Sequence, residues 1–259
     1  MKIKSTYGYC LCCKSHTEFS SSEQWLRDHY ICEKCGSIPR ERALMKVISD
    51  VIPDFQKKKI HESSPCGRGA SLRLMNECEQ YISSHYWADE DYCEEPHLNI
   101  NLEDQKLGSE SFDLVVTQDV FEHLPNPIAA SREIFRTLKP GGFLIQTVPL
   151  VNRFNETQQW AKLNSDNDIE WLYEPDIHGN PIDPENGSPV FWHYGYDFVS
   201  NIDKWAGFKS IIILNQIERF GIEGELCEVI VSQKKFSTTT RLKQRMARLL
   251  KKKLQDDYE

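Results

Sequence analysis

Four cysteines are spaced to hold a metal ion. Cys10 and Cys13 form one Cys-x-x-Cys pair, and Cys32 and Cys35 form a second, with eighteen residues between the pairs. Each pair can present two thiolates from a tight turn, and two such pairs complete a tetrahedral zinc site. A closed four-thiolate site leaves no position for a substrate, so the ion is expected to be structural. Cys12 is a spare thiol beside the first pair, and His16 and His29 are substitute ligands. Phe19, Trp25 and Tyr30 lie between the pairs, as a short hairpin packing a few aromatics around a metal requires.

The elements that follow alternate in type. Ser37, Pro39 and Glu41 read as a helix start leading into RERALMKVISDVI, which joins the zinc unit to the rest. Residues 57–63 read as a strand, followed by the turn SPCGRGAS and the helical stretch SLRLMNECE. Residues 81–84, 98–102 and 112–120 are further strand candidates. AASREIFRTLKPGG reads as an amphipathic helix with Ile134, Phe135 and Leu138 on one face and Gly141 closing it. FLIQTVP is another strand, and FKSIIILNQ with CEVIVSQ reads as a closing hairpin. This alternation predicts an α/β fold, a Rossmann-like doubly wound and mostly parallel sheet behind an N-terminal zinc ribbon. Ligands in such sheets bind at the carboxyl ends of the strands. The expected organisation is a ribbon over 1–38, a main domain over 39–233 with an insertion at 150–200, and a basic tail over 234–259.

The segment FDLVVTQDVFEHLPNPIAASREIFRTLKPGGFLIQTVP resembles the second half of a class I S-adenosylmethionine-dependent methyltransferase of the type 11 kind. Together with a Cys-x-x-Cys ribbon running into CGSIPRERALM, and with HESSP in place of the usual glycine loop, it is similar to a bacterial group of zinc-ribbon methyltransferase-like proteins. The resemblance spans residues 10 to about 232. It implies S-adenosylmethionine as cofactor, with Glu62 as the acid that holds the amino group of its methionine part. The adjoining turn would supply Ser63, Ser64, Gly67 and Gly69, and helix-start amides there attract a carboxylate. The family's ribose-binding acid is replaced by Ser83, with Ser84 and His85 after it, and serine cannot accept from both hydroxyls as a carboxylate does. Asp89 or Asp91 could fold back to serve. Asn101, Leu102 and Glu103 fall at the adenine position, and Gln118 and Asp119 at the cleft end of the fourth strand.

On the acceptor side, methyl transfer needs positioning and, for a hydroxyl acceptor, a base. His123 is the base candidate; bracing the following loop together with Glu122 is its other reading. His178, His193, Tyr194 and Asp197, in the polar and aromatic insertion, could line the acceptor site. His178, His193 and an Asp could alternatively hold a second metal.

Composition bounds the rest. The chain carries −8 in total, while residues from Lys234 onward carry nine Lys/Arg against three Asp/Glu, leaving −14 on residues 1–233. An acidic body argues against an extended nucleic-acid footprint. RLKQRMARLLKKKL, at 241–254, places leucines and Met246 on one helical stripe among cations, suited to an anionic membrane surface, a partner helix or RNA. No apolar run approaches the roughly 20 residues of a membrane span. The start lacks the apolar stretch of a secretory signal, so a cytoplasmic protein with reduced thiols is expected, peripheral at the inner membrane surface if the tail binds there. The expected function is methyl transfer to a small-molecule or glycan acceptor. The alternatives are a scaffold with a degenerate cofactor site and an RNA methyltransferase.

Overall fold

The computed structural model describes residues 2–87, 92–180 and 182–236. The 241–254 stretch and the carboxylates Asp89 and Asp91 lie outside the described residues. The N-terminal unit is an antiparallel hairpin, β1 (Lys4–Cys10) and β2 (Ser15–Ser21), with a short helix α1 (Leu26–His29) and a third strand β3 (Ile31–Cys32) paired to β2. The Cys10–Cys13 turn closes the hairpin, and the second pair follows β3, so both turns reach one end of the ribbon.

Helix α2 (Pro39–Val51) starts where the sequence predicts. Pro39 suits the first turn, where its missing N–H would be unpaired anyway. The Glu41 carboxylate accepts from the Ile38 amide at 3.2 Å. Arg42, on the same helix, is fully buried. Its guanidinium donates to the carbonyls of Tyr30 at 2.7 Å, Gly221 at 2.6 Å and Ser37, and lies 4.6 Å over the Phe19 ring. Gly221 is required there. Its φ is +63°, and a Cβ would stand 2.6 Å from the Phe19 ring. This arginine ties ribbon, helix and C-terminal region together. Cys10, Phe19 and Tyr30 accordingly pack in one cluster with Leu44, Met45, Leu114, Val116 and Ile145.

The remaining elements follow in order: β4 (Lys59–Ser63), α3 (Gly69–Glu77), β5 (Gln80–His85), β6 (Leu98–Asn99), β7 (Phe112–Gln118), α4 (Pro127–Thr137) and β8 (Leu138–Thr147). After them come the short strands β9 (Gln158–Gln159), β10 (Ala161–Leu163), β11 (Ile169–Trp171), β12 (Ile177–His178), β13 (Ser188–Pro189) and β14 (Trp192–His193). Then come α5 (Phe198–Ala206), β15 (Lys209–Ile213) and β16 (Val229–Gln233). Seven strands form one sheet in the order β15-β16-β8-β7-β4-β5-β6. β16 runs against its two neighbours, and the other pairings are parallel. Alternate residues of β7 face opposite ways. Leu114 and Val116 pack toward α2 and the ribbon, while Val115 packs with Ile134, Phe198 and Ile202 of α4 and α5. Apolar residues on both faces are what a sheet covered on both sides needs. The fold is therefore the Rossmann-like sheet that the sequence predicts, with the order reversing at β4.

Several boundaries differ from expectation. Helix α4 begins two residues earlier, at Pro127, capped by the Asn126 side chain accepting from Ala129 N at 3.1 Å, and ends at Thr137. Leu138, Lys139, Pro140, Gly141 and Gly142 belong to β8 instead of closing the helix. Pro140 bars a further helical turn, and Leu138 pairs with Phe112 before a bulge resets the register at Leu114. The expected strand at 98–102 is reduced to Leu98–Asn99.

Candidate functional site

Four sulfurs converge at the ribbon tip. Cys10 Sγ lies 3.7 Å from Cys35 Sγ, and Cys13 Sγ 3.9 Å from Cys32 Sγ. Ligands about 2.3 Å from a tetrahedral zinc stand roughly 3.8 Å apart, so the four fit that ion. Cys12 is buried in the core, and neither it nor His16 nor His29 joins the group.

At the carboxyl end of β4, Glu62 is wholly buried and both oxygens of its carboxylate are engaged from within. Ser71 Oγ donates at 2.6 Å, Gln118 Nε2 at 2.8 Å and Tyr81 OH at 2.7 Å. Burial pushes its pKa up against those bonds. Glu62 thus braces β4, α3 and β7 from behind the loop. Ser63 is buried at the strand end, and Ser64 takes a positive φ of 55° while its amide donates to Ser84 O. Gly67 and Gly69 also have positive φ. A Cβ at Gly69 would lie 2.0 Å from the Glu41 carboxylate, which also accepts from Arg68 Nε at 3.0 Å. A glutamate from α2 therefore clamps the loop, and only glycine allows so close an approach.

The hydroxyls of β5 are also used internally. Ser83 Oγ bonds His97 Nδ1, and Ser84 Oγ bonds His61 Nε2, each at 2.8 Å. What opens over the loop instead is a cavity of about 540 Å³ lined by Pro65, Gly67, His85, Trp87, Tyr92 and Glu94, among others. It lies outside the ends of β4 and β5, beside the strand-order reversal, where open α/β sheets bind ligands. Glu94 is a carboxylate in the wall of the strand-two side, and the sequence reading missed it. The cue was an acid after the second strand of the main sheet, but the twelve-residue connection from β5 to β6 hid which one. Asn101 is exposed and its side-chain oxygen accepts from Glu103 N at 2.9 Å in a local turn; Leu102 is buried, and Glu103 accepts from Asn126 N at 2.7 Å.

At the end of β7, Gln118 turns back to Glu62, and Asp119, with φ +52°, meets the N-terminal unit. Arg27 of α1 donates to Asp119 Oδ2 at 2.7 Å, Arg40 of α2 stands 3.3 Å from the same oxygen, and Thr147 Oγ1 donates to Oδ1 at 2.9 Å. Burial opposes ionisation of Asp119, but the two guanidinium charges win and hold it well below the usual carboxylate range. The sequence reading did not single out these arginines, because a charged residue on a short helix ordinarily faces water.

Beyond Asp119, the insertion grips the turn 121–124. Phe191 N donates to Glu122 O at 2.7 Å, Trp192 Nε1 to Leu124 O at 3.0 Å, and Tyr194 OH to Phe121 O at 3.1 Å. Tyr194 is fully buried and lies behind this wall. Asp197 accepts from Thr157 N and Oγ1 and holds its own loop. His193 Nε2 pairs with Asp176 Oδ2 at 2.8 Å and stacks on Trp160. His123 bonds the Pro189 carbonyl through Nδ1 at 2.8 Å, with its Nε2 3.7 Å from Glu122 Oε1. The His178 ring meets the His123 ring edge-on at 5.1 Å. The structure thus gathers Glu122, His123 and His178, while Tyr194 and Asp197 serve the scaffold.

One buried group makes the sheet acid-sensitive. His61 is enclosed in β4, and burial lowers its pKa from 6.5 to about 4. The unfolded chain takes up a proton below pH 6.5 that the folded chain refuses until about 4, so stability falls as pH drops through that window. The loss is expected to reach about 2 kcal/mol by roughly pH 5. Urea midpoints near neutrality and at about pH 5 would check this, with His61→Gln flattening the difference. An equal drop in both proteins would remove His61 as the cause.

Residues 66–146 match the family model described as a methyltransferase domain, about a third of the chain. No curated protein matches the sequence. Similar solved structures include an S-adenosylmethionine-dependent methyltransferase from Mesorhizobium loti, at 11% identity and TM-score 0.48, covering 74% of this chain and 97% of that one. A methyltransferase from Methanosarcina mazei matches at 14% identity and TM-score 0.42 over 72% of this chain and 98% of its own. The 1,6-didemethyltoxoflavin-N1-methyltransferase of Burkholderia thailandensis, solved with its substrate and S-adenosylhomocysteine, matches at 10% identity and TM-score 0.45, covering 76% and 78%. The chain therefore carries a methyltransferase domain signature, from Cys66 to Gln146, within a Rossmann-like sheet.

Proposed function

We propose that this protein is an S-adenosylmethionine-dependent methyltransferase acting on a small-molecule or glycan acceptor. The observation that carries the reading is the cavity outside β4 and β5, walled by the glycine-bearing loop, aromatic rings and a carboxylate. Its volume falls in the range of small-ligand pockets, roughly 300–1,000 Å³. Bound there, S-adenosylmethionine would supply a methyl group already activated as a sulfonium. The chain's part is to hold and orient. Trp87 and Tyr92 offer ring faces to a base, and Glu94 offers two acceptor oxygens to a diol. The N-terminal end of α3, following Gly67, offers the positive end of a helix dipole toward a carboxylate. Glu62, Ser63, Ser83 and Gln118 support these walls, whereas Asn101 serves a local turn. On the acceptor side, the Pro189 carbonyl fixes the His123 Nδ1 proton and leaves the Nε2 lone pair as the basic atom. Among the described residues no helix is long and apolar enough to cross a membrane.

One observation favours a second reading. Glu62 has no oxygen left over, and Ser83 is spent on His97. A scaffold that has lost the cofactor would look the same at these two positions. Calorimetric titration with S-adenosylmethionine and S-adenosylhomocysteine separates the readings. Micromolar binding, weakened about tenfold or more by Glu94→Ala, is the expected result, since charge-assisted bonds contribute about 1.5–3 kcal/mol. Glu94 is a better control than Glu62, whose removal would strand buried donors. No binding by a folded, zinc-loaded protein would favour the scaffold.

A further inference from the structure

The insertion builds a cluster that the cofactor reading does not use. Glu122 Oε1, His123 and His178 each offer one ligand atom, and these atoms lie within 4.8 Å of one another. Glu122 is 1% exposed, and neither of its carboxylate oxygens has a hydrogen-bond partner among the described residues. A buried carboxylate left like this is costly unless a proton or a cation meets it. Arg27 and Arg40 are nearby but are committed to Asp119.

His123 points the right atom at that carboxylate. Its Nδ1 donates to the Pro189 carbonyl at 2.8 Å, which fixes the tautomer and leaves the Nε2 lone pair 3.7 Å from Glu122 Oε1. A backbone carbonyl behind a ligating imidazole is the usual outer support of a metal site. Ligands about 2.1 Å from a tetrahedral ion stand roughly 3.4 Å apart, so this pair is nearly at that spacing. His178 closes the third side from β12, and its side chain is 42% exposed, which gives an ion an entry path. The His193 that sequence reasoning could pair with His178 is instead held by Asp176.

We propose that Glu122, His123 and His178 form a second metal site, distinct from the ribbon, that takes a divalent transition-metal ion. Two imidazoles and one carboxylate suit such an ion better than magnesium or calcium, and three protein ligands leave positions open for an acceptor or water. The ion and a proton are competing uses of the same His123 lone pair. The ion alone also satisfies Glu122 and engages His178. This proposal does not depend on cofactor binding.

The test is titration of the zinc-loaded full chain with Co²⁺, read by metal content and visible absorption. Expected is one cobalt per chain beyond the ribbon zinc, with ligand-field bands but no thiolate-to-cobalt charge transfer, because the ligands are nitrogen and oxygen. His178→Ala, at a half-exposed position, and Glu122→Gln should each weaken binding by at least about 100-fold while the zinc stays in place. Three results would overturn the proposal: no additional metal, cobalt uptake showing thiolate charge transfer, or uptake that both variants leave unchanged. Cofactor titration of the same samples is independent, so the failure of this site and the failure of the methyltransferase reading are distinguishable.

Discussion

Chelating zinc from the ribbon is expected to unfold much more than the ribbon. Structural zinc in small modules contributes on the order of 10 kcal/mol of apparent folding energy. Whole domains are stable by only about 5–15 kcal/mol. The ribbon also packs on α2, the helix that covers one face of the main sheet. Phe19 and Tyr30 pack with Leu44, Leu114, Val116 and Ile145, and Arg42 bonds carbonyls of the ribbon and of the C-terminal region at once. If the four thiolates lose their ion, their mutual repulsion or protonation loosens the turns that place Phe19 and Tyr30. The packing of α2 on the sheet beneath would then loosen. Excess chelator under reducing conditions should lower the melting temperature by well over 10 °C, and Cys32→Ser should do the same without chelator. Cys12→Ser should leave the zinc content unchanged, because Cys12 lies in the core and outside the sulfur group. An unchanged melting curve in zinc-free protein would sink this account.

The second large effect is expected at Asp119. Its carboxylate is shared by Arg27 and Arg40, which are 7% and 15% exposed as side chains. Removing one partner of a buried ion group leaves uncompensated charge and typically costs about 3–5 kcal/mol. Asp119→Ala should therefore lower the stability read from urea midpoints by about that amount. The damage should be local in origin, at the junction of ribbon, α2 and the end of β7, so cofactor affinity should fall as well. Asp119→Asn should lose most of the same stability, since the amide keeps the shape but not the charge. Acid should not imitate the substitution under mild conditions. The two arginines overcome burial and hold Asp119 ionised well below ordinary carboxylate values, so its contribution persists above the unfolded carboxylate value and fades only as pH falls through its own depressed one. A near-neutral Asp119→Ala would mean that Asp28, 3.2 Å from Arg27 and 3.5 Å from Arg40, compensates the pair instead of Asp119.

Much was legible in the chain because it is local. Cysteine spacing specifies a four-sulfur site, since two Cys-x-x-Cys turns need only come together at one end of a hairpin. Period-two and period-3.6 patterns specify the alternation of strands and helices, and the start of α2 at Pro39. Other features were not legible, because they depend on which distant elements meet. KPGG reads as a helix end, yet Leu138 pairs with Phe112 and carries the segment into β8. Glu41 reads only as part of a helix start, and Arg27, Arg40 and Arg42 carry no signal in the chain, yet all four are buried or nearly so, each beside a partner from another element.

The sequence by itself determined which four sulfurs come together, the α/β class and the positions of the strand ends where chemistry can sit. Only the tertiary structure decided how those ends are used. Packing by Ser71, Tyr81 and Gln118 turned Glu62 into an internal brace, and the connection after β5 brought Glu94 to the cavity wall. Hydrogen bonds from the insertion brought His178 against His123 and Glu122 across more than fifty residues of chain. Spacing encodes contacts within a turn or a helix face. Contacts between elements depend on the sheet order and on which buried polar groups find partners, and these are settled only when the whole chain packs.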